Sequence, residues 1–260
     1  MILSRLCFLG LLFLAILISP GRVAFSDAEP QTERVYQGLT VPYPPYMIIE
    51  DEEITGIVTE IVRTAFDRAG LKLQINHLPM KRALHKIREG QADFMFTLFF
   101  TEERAAYMHY AEQPLSYEDI ILAVPKGKTP PFDGSLESIR GLEIGTPRGF
   151  SLGTNIDAGF EEGVLVKTEV PHSLAGVKML ASSRVQSMAS DRLTFLYMLR
   201  ESSMRENIEI VEPPLNRTPA YIGYSKKASH VLDLRDRIDQ ELAKMWNEGV
   251  MEEITNKYIK

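Results

Sequence analysis

Two ionisable residues of opposite sign stand at matching points of the chain, and together they could grip a zwitterion. Arg104 ends the segment Phe94-Met95-Phe96-Thr97-Leu98-Phe99-Phe100-Thr101-Glu102-Glu103-Arg104, an apolar run broken only by Thr97 and then a polar turn. A run that continuous reads as a strand buried on both faces of a parallel sheet. Thr101 suits an N-cap, and Glu102 and Glu103 suit a first helical turn, where the positive end of the peptide dipoles favours acids. Arg104 gains nothing there. A cation in that turn loses about 0.3 to 1 kcal/mol, so an anion is expected close to it. A surface arginine paired with Glu102 or Glu103 is the competing reading. In the second half of the chain Asp191, in Ser190-Asp191-Arg192, holds the equivalent place after another strand. Its alternative is an ordinary N-cap acid. If both strand ends face one cleft, a cation and an anion oppose each other across it, and open α/β sheets bind ligands at such ends.

The elements that would position these residues alternate between helical and strand periodicity, the pattern of a parallel or mixed sheet covered by helices. Ile57, Ile61, Val62, Ala65, Phe66 and Ala69 recur at helical spacing up to Gly70, and Leu71, Leu73 and Ile75 then alternate as a strand. Pro79 opens a helix carrying Ala83, Leu84 and Ile87, closed at Gly90. Ile120 to Val124 is an apolar strand, followed by the composition break Pro125-Lys126-Gly127-Lys128-Thr129-Pro130-Pro131. A second series follows: strands at Leu142 to Gly145 and Val164 to Val170, a helix with Leu174, Val177 and Leu180, and a strand at Val185 to Ala189. Pro213, Pro214 and Pro219 interrupt the chain, after which Tyr221 to Tyr224 reads as a strand and 232–246 and 251–258 as two closing helices. A chain that leaves one lobe, builds another and returns gives two connections, and two connections make a hinge. The expected division is lobe 1 over 32–118 and 219–260, and lobe 2 over 119–218.

Arg5, the apolar stretch Leu6 to Ile18 and the small residues up to Ala28 have the form of a secretory signal peptide over residues 1–28, too short for a spanning helix of about 20 residues. Cleavage after Ala28 is favoured over Ala24, which would put Arg22 at a position reserved for small side chains. The remaining 232 residues (260 − 28) are expected to be soluble, exported and free of cysteine, because Cys7 lies inside the signal. Formal charge is −6, and removing Arg5, Arg22 and Asp27 subtracts a net +1 to leave −7. That sign speaks against nucleic acid and anionic membrane surfaces. His77, His85, His109, His172 and His230 show no metal-ligand spacing. Neither metal nor cofactor is expected.

Taken in order, Tyr43-Pro44-Pro45-Tyr46, Gly56-Ile57-Val58-Thr59-Glu60, Leu78-Pro79-Met80-Lys81-Arg82-Ala83-Leu84, Gly90-Gln91-Ala92-Asp93, Thr101-Glu102-Glu103-Arg104, Gly141-Leu142-Glu143-Ile144-Gly145 and Trp246-Asn247-Glu248-Gly249 resemble the extracytoplasmic solute-binding proteins of amino-acid-type ABC importers, family 3. The resemblance implies a bilobed type II periplasmic-binding fold, two α/β lobes joined by a two-strand hinge. It implies a monomer in the periplasm that captures an amino acid or related small carboxylate and delivers it to a membrane permease. On the same basis Arg104 clamps the ligand carboxylate with its planar fork, which lysine could not reproduce, and Asp191 receives the α-amino group. Ser151 and the backbone of Gly149 donate from the second lobe near a helix start. Thr97 is the hydroxyl left at the strand end, and Met80 replaces the usual aromatic lid with a softer thioether wall. Tyr43 matches an aromatic wall or, equally, packs in a proline-rich turn. A rival on the same scaffold is a cyclohexadienyl or arogenate dehydratase-like enzyme, for which Glu169 and His172 are the nearest candidates for a general acid, against a reading as solvated loop residues. A signalling subunit that needs no ligand is the third possibility.

Overall fold

The computed structural model describes residues 34–51, 53–200 and 204–259; the expected signal peptide and Cys7 lie outside them. In chain order the elements are β1 Val35–Thr40, β2 Ile48–Glu50, β3 Glu53–Thr55, α1 Ile57–Arg68, β4 Lys72–His77, α2 Met80–Arg88, β5 Phe94–Phe99, α3 Glu102–Ala105, β6 Met108–Tyr110, β7 Ser116–Pro125, β8 Glu143–Pro147, α4 Thr154–Glu161, β9 Val166–Val170, α5 Ser173–Ala181, β10 Ser187–Asp191, α6 Arg192–Arg200, β11 Ile208–Ser225, α7 Val231–Asn247 and α8 Val250–Tyr258. Among these residues no helix is long and apolar enough to cross a membrane.

The strands run β4-β1-β5-β11-β7-β10-β8-β9, with β6 added on β11. Two parallel groups, β4-β1-β5 and β10-β8-β9, therefore flank the antiparallel pair β11 and β7. Parallel strands need helical crossovers, which bury both faces of each group; all six residues of β5 are buried accordingly. One core joins Leu39, Phe66, Phe94, Leu98 and Met108 to Ile222, Leu234 and Leu242, so the chain's two ends share a lobe. Along β7 the period of two sorts side chains onto two further cores. Ile120, Leu122 and Val124 pack with Ile144 and Ala189, while Ile121 and Ala123 pack with Val177, Met188 and Phe195. The fold is thus mixed α/β and bilobed, with β7 and β11 passing between the lobes.

β7 ends at Pro125, and the rest of the proline-rich segment, 126–131, is a loop. One expectation shifts. The prolines at 213, 214 and 219 do not interrupt the chain: β11 runs for 18 residues and absorbs Pro213 and Pro214 in a register shift between Val211 and Asn216. A bulge leaves residues without ladder bonds, which is where a residue lacking N–H is tolerated.

Candidate functional site

The expected N-cap forms. The Thr101 hydroxyl accepts from the Arg104 amide at 3.2 Å, and the helix it starts is the four-residue α3. Arg104 itself is buried, at 6 % exposure, which removes the surface-pair reading; Glu103 pairs instead with Arg88 at 3.0 Å. Its guanidinium donates to the carbonyl of Phe99 at 3.1 Å and, across the lobes, to the carbonyl of Gly149 at 3.1 Å. Two carbonyls satisfy geometry without neutralising charge. No ion pair to Arg104 exists among the described residues.

Arg104 lines a cavity of about 20 Å³ with Tyr43, Met80, Thr97, Phe99, Glu118, Phe150 and Ser151. That volume suits about one water, so the lobes are drawn together. Five of the seven expected residues line it: Arg104, Thr97, Tyr43, Met80 and Ser151. Thr97 arrives there through a backbone irregularity. It has φ 63° beside a register shift in the β5–β11 pairing, and its hydroxyl donates to Met47 Sδ at 3.1 Å. A β-branched residue with positive φ is costly, and bulges re-aim side chains in this way.

Gly149 and Ser151 behave differently from expectation. Gly149 meets Arg104 through its carbonyl, and its φ of +83° favours a residue without Cβ; an added Cβ would stand 3.0 Å from Lys81 Cγ. Ser151 donates its hydroxyl proton to Asp157 Oδ2 and accepts from the Gly153 amide at 3.1 Å, so its donor is used within its own lobe. Asp191 does not line the cavity. Its Oδ2 accepts from the Thr194 amide at 2.9 Å, the N-cap bond of its alternative reading, and its Oδ1 accepts from the Tyr46 hydroxyl at 3.2 Å across the lobes.

Tyr43 and Tyr46 share a turn whose position is fixed by α1. The Ile57 and Val58 amides, at the start of that helix, donate to the carbonyls of Pro45 and Tyr46 at 3.0 Å each. Gly56 makes room, since a Cβ there would lie 2.6 Å from the Tyr46 carbonyl oxygen. The two rings stack at 5.6 Å and 18°, and Phe150 from the other lobe tilts against Tyr43 at 5.7 Å. Tyr43 donates to Glu118 Oε2 at 3.1 Å.

Glu118 is the residue the sequence reading missed. It is the third residue of strand β7, is fully buried, and accepts from Tyr43 and from Ser116 Oγ at 3.4 Å. Burial pushes its pKa well up, and the nearby Asp191 charge pushes it further. Burial likewise raises Asp191 to about 6, against the lowering effect of its Thr194 and Tyr46 bonds. The signal was present as an acid two residues before an apolar strand, but alternation reads such an acid as the strand's solvated side.

A larger groove of about 950 Å³ adjoins the cavity, sharing Met80 and Phe150 with it. Glu169 spans its rim, pairing with Lys81 of one lobe at 3.4 Å and Arg148 of the other at 3.2 Å. Desolvation raises the Glu169 pKa, and the two cations overcome it, leaving the carboxyl below its ordinary value. His172 caps α5, its Nδ1 accepting from the Ala175 amide at 3.3 Å. No cluster of potential metal ligands is found among the described residues.

The family model of bacterial extracellular solute-binding proteins, family 3, matches residues 36–260. The chain belongs to that family. Among solved structures it is similar to an ancestral arginine-binding protein bound to arginine, at 18 % identity and TM-score 0.73 over 88 % of this chain and 100 % of that one. It is equally similar to the GluR0 ligand-binding core in complex with L-glutamate, at 19 % identity and TM-score 0.73 over the same shares of the two chains. It also resembles the ancestral amino-acid-binding protein AncCDT-1, a precursor of cyclohexadienyl dehydratase, at 14 % identity and TM-score 0.68 over 87 % and 95 %. At such identities these likenesses speak for the fold. A comparison with curated protein sequences returns no match.

Proposed function

We propose that this family 3 member captures an amino acid in the periplasm by closing its lobes, here 32–118 with 219–260 and 119–218, and delivers it to the permease of an ABC-type importer. The observation that carries this reading is the buried Arg104, which reaches from Phe99 in one lobe to Gly149 in the other with its charge unpaired among the described residues. A ligand carboxylate would replace those two carbonyls by a bidentate, charge-assisted pair. Asp191 would take the α-amino group once Tyr46 releases it, with Tyr43 and Met80 as walls and Thr97, Ser151 and Gly149 lining the approach. Family membership supports solute capture, and the amino-acid complexes among the structural neighbours support the ligand class.

Binding rather than catalysis is favoured by the state of the two candidate acids. Glu169 is held ionised by two cations and His172 is used as a helix cap, so neither stands ready to protonate a substrate. Closure needs no chemistry, and a Kd near 1 μM corresponds to about 8 kcal/mol, within reach of one charged clamp with a few hydrogen bonds. The test is a thermal-shift screen of the ligand-stripped protein against the twenty amino acids. Binding to the folded form alone raises apparent stability by about 2.7 kcal/mol at a hundredfold excess over Kd. A shift with one or a few of them is the expected result, and none with any amino acid would refute the proposal.

A further inference from the structure

Resting on the reading just proposed, in which Arg104 takes a carboxylate and Asp191 an α-amino group, we propose that Glu118 is a second cation acceptor, so that the site selects a dibasic amino acid carrying a side-chain ammonium or guanidinium. Glu118 lines the same cavity as Arg104 and is fully buried. Its only hydrogen-bond donors among the described residues are the neutral hydroxyls of Tyr43 and Ser116. A buried carboxylate without a cation is among the costliest groups a protein can carry, and such groups are ordinarily paired.

Asp191 makes the imbalance larger. It pairs across the sheet with Ile120, so Glu118, two residues along β7, is its diagonal neighbour on the same face, at a Cα separation of about 7 to 8 Å. Tyr46 and Tyr43, stacked, deliver one hydroxyl to each acid. At the small cavity and its Asp191 flank the charges are then two carboxylates against one guanidinium, while Lys81 and Arg148 of the adjoining groove pair with Glu169. Arg192 and Arg217 do not correct this, because they pair outward with Glu212 at 2.7 Å and Asp119 at 3.9 Å. The complement is a ligand with one carboxylate and two cations. Tyr43 and Phe150 line the cavity beside Glu118, and aromatic rings are favourable neighbours for a guanidinium or ammonium.

The geometry also predicts that a cation at Glu118 holds it ionised. Any proton the two acids share in the empty protein then leaves on binding. The test uses L-arginine and L-lysine as cationic probes and L-citrulline, the neutral isostere of arginine, titrated by calorimetry into the wild-type protein and Glu118→Gln. Wild type should bind L-arginine or L-lysine about 10- to 100-fold more tightly than L-citrulline, the range of one charge-assisted bond. Glu118→Gln should bring that ratio close to one. Equal or tighter wild-type binding of L-citrulline overturns the assignment of Glu118 while leaving amino-acid capture intact. A preference that survives in Glu118→Gln overturns it as well. Absence of binding by wild type to all three probes and to the remaining amino acids refutes the underlying function and this inference with it. Should Glu118→Gln fail to fold, the wild-type ratio alone decides.

Discussion

Asp191→Asn should stabilise the empty protein at neutral pH, and the gain should disappear in acid. Burial raises the Asp191 pKa from its ordinary 3.8 to about 6. An acid whose folded pKa is raised binds protons more tightly when folded, so its contribution favours the folded state below the unfolded pKa and is lost as pH climbs through the folded one. The difference of about two units corresponds to about 3 kcal/mol at pH 7, falling below about 1 kcal/mol at pH 4. Asparagine is an equally good N-cap, so its carbonyl can keep the Thr194 amide while its amide group serves Tyr46. For a domain of this size about 3 kcal/mol is some 6 to 12 °C in Tm. The assay is thermal and urea unfolding of both proteins at pH 4, 5, 6, 7 and 8. Any fixed cost of the substitution cancels in the pH dependence. The variant's advantage should grow by about 2 kcal/mol between pH 4 and pH 7, and a difference that does not change with pH would refute the account of a charge held in a dry site.

Three further outcomes follow from individual contacts. Tyr224 is fully buried and its hydroxyl lacks a partner among the described residues, so Tyr224→Phe should be neutral or stabilise by about 1 kcal/mol in urea unfolding; a clear loss would mean the hydroxyl is bonded. Gly153→Ala should cost about 1 to 3 kcal/mol, because φ is +96° and the new Cβ would stand 2.5 Å from Thr218 Oγ1; unchanged stability would show that the turn before α4 yields freely. Glu169→Gln breaks two exposed ion pairs across the groove, so stability should change by less than about 1 kcal/mol and ligand release should quicken by less than about fivefold in stopped-flow fluorescence; a much larger effect would make this bridge a principal lock of the closed form.

Arg104 could be picked out because its type contradicts its position: a cation in a first helical turn demands an explanation that lies outside the helix. The buried strand before it and its Thr101 cap were equally plain, since both follow from local periodicity and capping. Asp191 satisfied a cap and a site reading at once, because one carboxylate oxygen can hold the Thr194 amide while the other stays available to a partner. Glu118 stayed hidden because its meaning depends on Tyr43, seventy-five positions away, and on Asp191 across the sheet. Thr97 could be identified as a hydroxyl but not as a bulge, because a register shift belongs to the pairing of two strands. β11 misled for the same reason: prolines stop a strand only where the partner needs their N–H, and a partner cannot be seen along one segment.

The central claim is that Arg104 is the carboxylate clamp between the lobes. The most direct measurement is calorimetric titration of wild type, Arg104→Lys and Arg104→Ala with whichever amino acid shifts the wild-type Tm most. Arg104→Lys should weaken binding by about 10-fold or more, because a point charge loses the bidentate geometry, and Arg104→Ala should abolish measurable binding while the unfolding transition stays cooperative. Wild-type affinity in Arg104→Ala would contradict the account.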